Sequence, residues 1–311
     1  MIELKNVCKE YKAKNGVVTK ALNNVNINLP STGLIFILGK SGSGKSTLLN
    51  LIGCMGKVTS GEILINNICV SKLNESKLNN YRNSCFGFIF QEHNLIENFT
   101  VYDNLKLPST LKRLKYRKED YDKYLSLVSL NDLGNRRVNE LSGGQKARVS
   151  IARALIKNPN IILADEPTGN LDVTNSTQVF EILKNISKDR LVIVVSHDIE
   201  YAYKYADRVI KIEDGNIVKD NTINQTLETN SEIKIVKPKL SFLSAIKFSS
   251  LNLRKKTFRL IIISIILSVT LALFGYSYLM SDIDIINTHV KTMIDNNETE
   301  MTLVKKYLVK T

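Results

Sequence analysis

The chain has 311 residues, of which 43% are hydrophobic and 23% are charged, and its net charge is +13. This length allows one large domain or two smaller ones, and the composition is typical of a globular core. The positive charge suits either nucleic acid or an anionic membrane surface. The four cysteines include no CxxC pair, which argues against a metal site or a disulfide framework and favours reduced thiols. The first 30 residues lack an apolar run of signal-peptide length, so we expect the N-terminus to stay in the cytosol.

The first predicted elements are a hairpin and the opening unit of a parallel α/β layer. Residues 2–7 and 17–29 alternate apolar and polar side chains around an Asn-Gly turn signal. The apolar run GLIFILG (33–39) predicts a buried strand, which leads through a Gly-rich turn into the helical spacing of STLLNLIGCM. Residues 61–70, GEILINNICV, predict one further strand.

The next elements alternate between strands and helices. Residues 101–133 are polar and have helical periodicity, so they predict a helical insertion. The runs NIILAD (160–165) and RLVIVVS (190–196) predict buried strands, each followed by a helix. Two short strands are predicted in RVIKIEDGNIVKD. The pattern indicates an α/β domain over residues 1–220, followed by a polar linker over 221–239.

The chain changes character after the linker. Residues 240–257 are amphipathic and basic, and we predict a helix on a membrane surface. A transmembrane helix is predicted over 258–281, because an uncharged helix over 260–281 is about 33 Å long and a hydrocarbon core is about 30 Å thick. A buried core helix is the alternative, but such helices are seldom apolar on every side. Basic residues before the span place its N-terminal side in the cytoplasm, so residues 282–311 would begin an extracytoplasmic region.

The stretch GKSGSGKST matches the P-loop pattern G-x-x-x-x-G-K-[ST] between a predicted strand and a predicted helix. Such a loop wraps backbone N–H groups around the phosphates of ATP. We expect Lys45 to reach the β- and γ-phosphates and the Ser46 hydroxyl to bind Mg²⁺. The predicted ATP-binding residues of the loop are Gly39, Lys40, Ser41, Gly42, Ser43, Gly44, Lys45, Ser46 and Thr47.

An acidic pair ends the predicted strand in IILADEPTGNLD (161–172). Asp165 is expected to hold Mg²⁺, directly or through water. Glu166 is one residue further and is expected to act as the general base on the attacking water. An apolar strand that ends in Asp-Glu is common, so this prediction depends on the P-loop beside it.

The order of six motifs resembles that of the ATP-binding cassette (ABC) ATPases over residues 1–220. LSGGQ (141–145) is the signature of that family, and it lies after a lone glutamine, Gln91, in FIFQEHNL. The acidic pair, GNLD (169–172) and His197 in VVSH follow in the family order. The resemblance implies a P-loop NTPase fold with a RecA-like α/β core, an antiparallel β subdomain and a helical subdomain, which uses ATP and Mg²⁺.

The resemblance also implies roles for residues outside the P-loop. Tyr11 would stack on adenine, with a surface tyrosine as the alternative. Gln91 would contact Mg²⁺ or the lytic water and relay the nucleotide state, and His197 would contact the γ-phosphate. The signature residues would present N–H groups to the γ-phosphate held by a second subunit, and they are Ser142, Gly143, Gly144 and Gln145. Asp172 and its loop would lie across the interface, which implies a head-to-tail homodimer with two composite sites.

The residues within and around these motifs resemble the macrolide-exporter and lipoprotein-release branch of the family. The markers are FIFQEHNLIENFTVYDNL and the use of GNLD where SALD is more frequent. Residues 241–280 resemble the start of an FtsX-like permease. The resemblance implies a cell-membrane protein with its ATPase on the cytoplasmic side, driving export or extraction of a peptide, lipopeptide or drug. At least three spans of such a permease are missing, so the rest of a longer chain or a partner subunit would supply them.

Three alternatives remain at this stage. The first is an ATPase of a complex that controls cell-wall hydrolases or senses antimicrobial peptides without transport. The second is an importer ATPase, although importer motors are usually separate soluble chains. The third is a DNA-repair or chromosome ATPase, suggested by the charge. The short interval between Gln91 and Leu141 leaves no room for the long insertions of that class, so we expect no nucleic-acid partner.

Overall fold

The structure is a computed structural model that describes residues 2–13, 16–224, 235–240, 242, 245, 246, 248 and 257–295, with the backbone alone given for 257–260. The chain divides into two compact units, Met1–Phe248 and Ser249–Thr311. Most of the predicted membrane-surface helix over 240–257, part of the predicted linker over 221–239 and the end of the predicted extracytoplasmic region lie outside the described residues.

The first unit contains ten strands and seven of the described helices. The strands are β1 (Ile2–Lys12), β2 (Val18–Leu29), β3 (Gly33–Leu38), β4 (Ser60–Ile65), β5 (Ile68–Cys69), β6 (Phe86–Ile89), β7 (Ile161–Asp165), β8 (Leu191–Ser196), β9 (Arg208–Glu213) and β10 (Asn216–Thr222). The helices are α1 (Lys45–Ile52), α2 (Glu75–Cys85), α3 (Val101–Leu111), α4 (Lys118–Leu127), α5 (Gly143–Leu155), α6 (Val173–Ile186) and α7 (Ile199–Tyr205). Short 3₁₀ turns occupy Val70–Lys72 and Val138–Glu140.

A four-stranded antiparallel sheet has the order β2-β1-β4-β5. It contains the predicted hairpin, which is confirmed, although β1 continues through Lys12 and pairs there with Val18. The prediction of one strand over 61–70 is wrong. Asn66 and Asn67 have φ angles of 47° and 65°, so they form a tight turn that separates β4 from β5. Asparagine tolerates this left-handed backbone and favours two-residue hairpin loops.

A six-stranded sheet has the order β10-β9-β3-β8-β7-β6 and is parallel except for β10. All side chains of β3 and β8 are buried, as is typical of central strands covered on both faces. Ile35 and Ile37 face the cluster shared with the antiparallel sheet, whereas Leu34 and Phe36 face the cluster beneath α5, α6 and α7. The six-stranded sheet is therefore the middle layer of the first unit.

The predicted helical insertion is confirmed as α3 and α4. The α2 helix and β6, which precede it, were not anticipated from the sequence. Asn74 caps α2 by accepting a hydrogen bond from the Lys77 N–H at 3.0 Å. The β6 strand has only four residues, so it is too short to show a period by itself.

The second unit contains the long helix α8 (Thr257–Asp295). In the part of the chain that the structure describes, one helix is long and apolar enough to cross a membrane, over Ile261–Asp295, and its most apolar 18 residues have a mean hydropathy of 2.0. The helix continues beyond residue 281, where the predicted span ends. Residues 282–295 contain neither glycine nor proline, so no strong helix breaker stops it.

Candidate active site

Four parallel strands end at one edge of the six-stranded sheet and deliver the predicted site residues there. The register pairs Leu38 of β3 with Ser196 of β8, Val195 of β8 with Asp165 of β7, and Ala164 of β7 with Ile89 of β6. The segments that follow these strands are the P-loop, the His197 segment, the acidic pair and the Gln91 loop. The carboxyl edge of a parallel sheet is where ligands bind in open α/β folds.

The P-loop is a tight turn, in which the Ser43 N–H donates to the Lys40 carbonyl oxygen at 3.2 Å. Gly44 has a φ of 103°, and a Cβ built on it would lie 2.3 Å from the Ala21 carbonyl oxygen, so only glycine fits. Lys45 is 6% exposed, and its Nζ donates to the Lys40 carbonyl oxygen at 2.7 Å. The Ser43 Oγ is buried without a hydrogen-bond partner among the described residues. The α1 helix begins at Lys45 without a side-chain cap, so its N-terminus favours an anion.

Ser46 and Asp165 form the part of the site that fits Mg²⁺. The Ser46 Oγ donates to the Asp165 Oδ1 at 3.1 Å. Burial raises the pKa of the Asp165 carboxyl, and the neighbouring Glu166 raises it further, whereas a bound cation would favour the ionised form. Among the described residues no group of three His, Cys, Asp or Glu side chains could hold a metal ion alone. One hydroxyl and one carboxylate fit Mg²⁺, which is usually bound by only one or two protein groups and completes its coordination with phosphate oxygens and water.

Glu166, His197 and Gln91 meet beside this pair. The His197 Nδ1 lies 3.4 Å from the Glu166 Oε1. Glu166 has a φ of 44°, and its N–H donates to the Val195 carbonyl oxygen at 2.9 Å, which holds the acid in a strained backbone conformation. A Cβ built on Gly169 would lie 3.3 Å from the Gln91 Nε2 and 3.6 Å from the Glu166 Oε2. The amide and the carboxylate therefore flank the same glycine.

The signature residues begin α5 and contact α6. The Ser142 Oγ accepts from the Gln145 N–H at 3.3 Å, and the Gln145 Oε1 accepts from the Ser142 N–H at 3.0 Å, which closes a capping box. Gly144 is buried, and a Cβ built on it would lie 1.9 Å from the Asn175 Oδ1. The structure thus packs the signature against α6 of the same chain, while Ser142 and Gly143 are exposed.

Asp172 and Tyr11 lie in different parts of the first unit. Asp172 caps α6 by accepting from the Asn175 N–H and from the Asn175 Nδ2, each at 2.8 Å. The backbone hydrogen bond from Asn175 lowers the pKa of the Asp172 carboxyl. Tyr11 lies on β1 of the antiparallel sheet, where its ring is 51% exposed and the Lys9 Nζ lies 4.9 Å from the ring centroid. The adenine-stacking role of Tyr11 stays a prediction.

These motifs are held in place by two residues that the sequence analysis did not identify. Asn175 fills the space over Gly144, as described above. Arg153 on α5 donates to the His93 carbonyl oxygen at 2.7 Å and to the Asn94 carbonyl oxygen, so it holds the loop after Gln91 against the signature helix. Burial lowers the pKa of Arg153 to about 10. Its partners are backbone carbonyls, which every residue carries, so no residue pattern marked this contact.

Comparison with known proteins identifies the class of this site. The profile of the ABC transporter family matches residues 22–169. ABC transporter ATP-binding protein MJ0796 of Methanocaldococcus jannaschii is 41% identical over 72% of this chain and 97% of its own length. A solved dimeric structure of that cassette, described as a post-hydrolysis state with ADP and Pi, matches with a TM-score of 0.67 and 39% identity, over 72% of this chain and all of the solved one.

Two relatives belong to named transport systems. The lipoprotein-releasing system ATP-binding protein LolD of Wigglesworthia glossinidia brevipalpis is 40% identical over 71% of this chain and 97% of its own length. The macrolide export ATP-binding/permease protein MacB of Campylobacter fetus subsp. fetus is 37% identical over 94% of this chain and 48% of its own length. The chain therefore spans about half the length of that exporter.

Proposed function

Because the chain belongs to the ABC transporter family and carries its ATPase cassette, we propose that it is the motor of a membrane complex that exports or extracts a peptide, lipopeptide or drug. The observation that carries this proposal is the cluster of Ser46, Asp165, Glu166 and His197 at one sheet edge beside the P-loop. The named relatives support the transport class, since one is a macrolide exporter and another a lipoprotein-releasing subunit.

The P-loop would hold the triphosphate of ATP. Its backbone N–H groups and the N-terminus of α1 supply partial positive charge to the phosphate oxygens. The Lys45 ammonium, which lies over the Lys40 carbonyl in the structure, would turn to the β- and γ-phosphates. Ser46 and Asp165 would hold Mg²⁺, which neutralises charge on the β- and γ-oxygens.

The water that attacks the γ-phosphate would lie between Glu166 and Gln91. The Glu166 carboxylate would accept a proton from that water, and the Gln91 amide would orient it. His197 would keep the carboxylate in place through the contact of 3.4 Å and approach the γ-phosphate from its other side. The strained backbone at Glu166 supports this reading, because such strain clusters at functional sites.

A second copy would complete the site. The signature residues of one chain are exposed at the start of α5 and would present N–H groups to the γ-phosphate held by the partner's P-loop. The dimeric structure of the similar archaeal cassette supports this arrangement. Closure of the two cassettes around ATP would move the membrane part, and α8 would be its first span on this chain.

The proposed general base is tested with Glu166→Gln in the purified full chain. The amide retains size and hydrogen bonding but cannot accept the proton, so the ATP turnover rate should fall by about 100-fold or more while ATP binding remains. Steady-state phosphate release and binding of a fluorescent ATP analogue are the measurements. The matched control is Glu181→Gln on the exposed side of α6. Turnover within a few-fold of the unsubstituted chain would contradict the assigned base.

A further inference from the structure

The first unit carries a group of exposed cations around the C-terminal end of α3. Between residues 104 and 118 the sequence has six Lys or Arg residues and no acidic one. Lys112 points inward, where its Nζ donates to the carbonyl oxygens of Ser84 and Lys157 at 3.1 and 2.6 Å. Lys118 is also exposed, but its Nζ lies 6.0 Å from the centroid of the Tyr102 ring. The other exposed cations, together with two from the segment that follows the cassette, are called the basic face. Its members are Lys106, Arg113, Lys115, Arg117, Lys237 and Lys239.

Backbone contacts bring the two parts of the basic face together. The Lys239 N–H donates to the Leu111 carbonyl oxygen, the last residue of α3, at 3.3 Å. Three residues earlier, the Val236 N–H donates to the Ser84 Oγ at 2.7 Å, and that hydroxyl also contacts the Val236 carbonyl oxygen at 3.2 Å. Residues 235–240 are therefore attached to the cassette beside the end of α3.

No member of the basic face forms an ion pair with an acidic residue in the described ranges of the chain. The nearest acids along the sequence are Asp103 on α3 and Glu119 and Asp120 at the start of α4. Asp103 accepts from the Thr100 hydroxyl at 2.8 Å, and Asp120 accepts from the Arg117 N–H at 2.8 Å. Six exposed cations without described acidic partners repel one another, so this surface favours an anionic partner.

Apolar side chains next to the basic face indicate what kind of anionic partner fits. Residues 242, 245, 246 and 248 are helical, and the Phe248 ring stacks on the Phe99 ring with centroids 5.9 Å apart. Phe242 is 79% exposed and Ile246 is 49% exposed. These two are four residues apart and share a helix face, whereas Phe248 lies on the opposite face, against the cassette. Exposed phenylalanine and isoleucine beside cations are typical of a membrane-surface segment.

We infer that the basic face and the Phe242–Ile246 side of the following helix bind the anionic headgroup surface of the membrane. The inference rests on the proposed function, in which α8 is a span. It adds that the cassette itself, through the end of α3, touches the lipid. The sequence favours lipid over an acidic protein segment, since Arg254, Lys255, Lys256 and Arg259 continue the positive charge up to the start of the apolar run.

The test uses the full chain in proteoliposomes of phosphatidylcholine alone or of phosphatidylcholine mixed with phosphatidylglycerol. Trypsin cleaves after Arg113, Lys115 and Arg117, and mass spectrometry follows each cleavage relative to the exposed Lys188 in the turn after α6. Anionic lipid should slow cleavage at the first three sites by roughly fivefold or more, since each Lys or Arg near such a surface gains about 1 kcal/mol. Added salt should restore the rate.

A charge variant that leaves the cleavage sites intact tests the basic face as a unit. Lys106→Gln, Lys237→Gln and Lys239→Gln together should remove most of the protection. The matched control carries Lys57→Gln, Lys204→Gln and Lys219→Gln, which change the net charge by the same amount at exposed sites elsewhere. This control should retain the protection from trypsin.

Equal cleavage in both lipids overturns the inference, and so does protection that appears only when a partner permease is added. ATP hydrolysis and flotation of the neutral proteoliposomes are measured on the same samples. If the chain does not hydrolyse ATP, or does not float with the neutral proteoliposomes, then the proposed function is wrong, whatever the cleavage rates show about the lipid contact.

Discussion

At the scale of single residues, the site depends on two kinds of backbone position. Some have no room for a side chain, and others have a positive φ. Gly144 is the sharpest case, because the space for its Cβ is taken by Asn175. The Asn175 side-chain amide donates to the Asp172 Oδ2, and the Asn175 backbone N–H donates to the Asp172 Oδ1, each at 2.8 Å. The glycine of the signature, the asparagine of α6 and the capping aspartate thus form one rigid contact, which sets the start of α5 relative to the GNLD loop.

Gly144→Ala should lower the ATP turnover rate by about tenfold or more. Alanine keeps the N–H and has higher helix propensity, so the expected loss comes from the contact with Asn175 at 1.9 Å. Gly143→Ala is the matched control, since its nearest atom would be the Leu171 Cδ2 at 3.5 Å. Adding Asn175→Ala to Gly144→Ala should restore part of the activity. Equal loss in the two glycine variants would show that Asn175 is not the cause.

At the scale of elements, α5 connects three parts of the site. Its first turn carries the signature, its N-terminal end packs on α6, and Arg153 near its C-terminal end holds the loop that follows Gln91. Because a helix is stiff along its axis, we expect a shift of the Gln91 loop to move the signature as well. This arrangement gives a physical route between the loop after Gln91 and the signature.

Arg153→Met should lower the free energy of unfolding by about 2 kcal/mol or more, because the charge-assisted hydrogen bonds of the guanidinium to the His93 and Asn94 carbonyl oxygens are lost. It should also lower the ATP turnover rate more than the ATP affinity, since Gln91 is not a P-loop residue. Urea denaturation and phosphate release measure the two effects. Arg136→Met, at an exposed position, is the matched control. An unchanged turnover rate in Arg153→Met would show that the contact between Arg153 and the loop after Gln91 is not needed for catalysis.

At the scale of the whole molecule, each chain has one P-loop and one signature, and we expect each motif to face the other motif of a single second chain. Two chains arranged head to tail would bring them together, which is an isologous dimer. The similar archaeal cassette was solved as a dimer bound to ADP and Pi. The second unit, whose described residues form one long apolar helix, would then anchor each cassette of the pair at the membrane.

Complementation between two inactive chains tests this arrangement. Lys45→Ala removes the P-loop cation, and Ser142→Arg blocks the signature. In a mixed dimer, one site has an intact P-loop from one chain and an intact signature from the other. Co-reconstitution should therefore recover about a quarter of the ATP turnover rate of the unsubstituted chain, because about half the dimers are mixed and each has one intact site. A rate no higher than the average of the two separate variants would contradict the composite site.

Much of the fold and of the site could be predicted from local patterns. The P-loop, the acidic pair and the buried strands are short runs. Their residue types depend on local backbone conformation and burial, so each could be predicted from its own residues. The order of motifs identified the ABC ATPase fold, which the comparisons confirm. The break between β4 and β5 was missed because Ile65 and Ile68 read as one apolar run, although the two asparagines between them form a turn.

By itself, the sequence determined the family, the P-loop, the candidate catalytic acid and the apolar helix, because their signals lie within a few consecutive residues. Only the tertiary structure decided that β6 lies beside β7, that Asn175 covers Gly144, that Arg153 holds the loop after Gln91, and that Phe248 stacks on Phe99. The physical reason is that these contacts join residues far apart in sequence through strand register, backbone carbonyls and shape. A single sequence carries no local mark of such pairings.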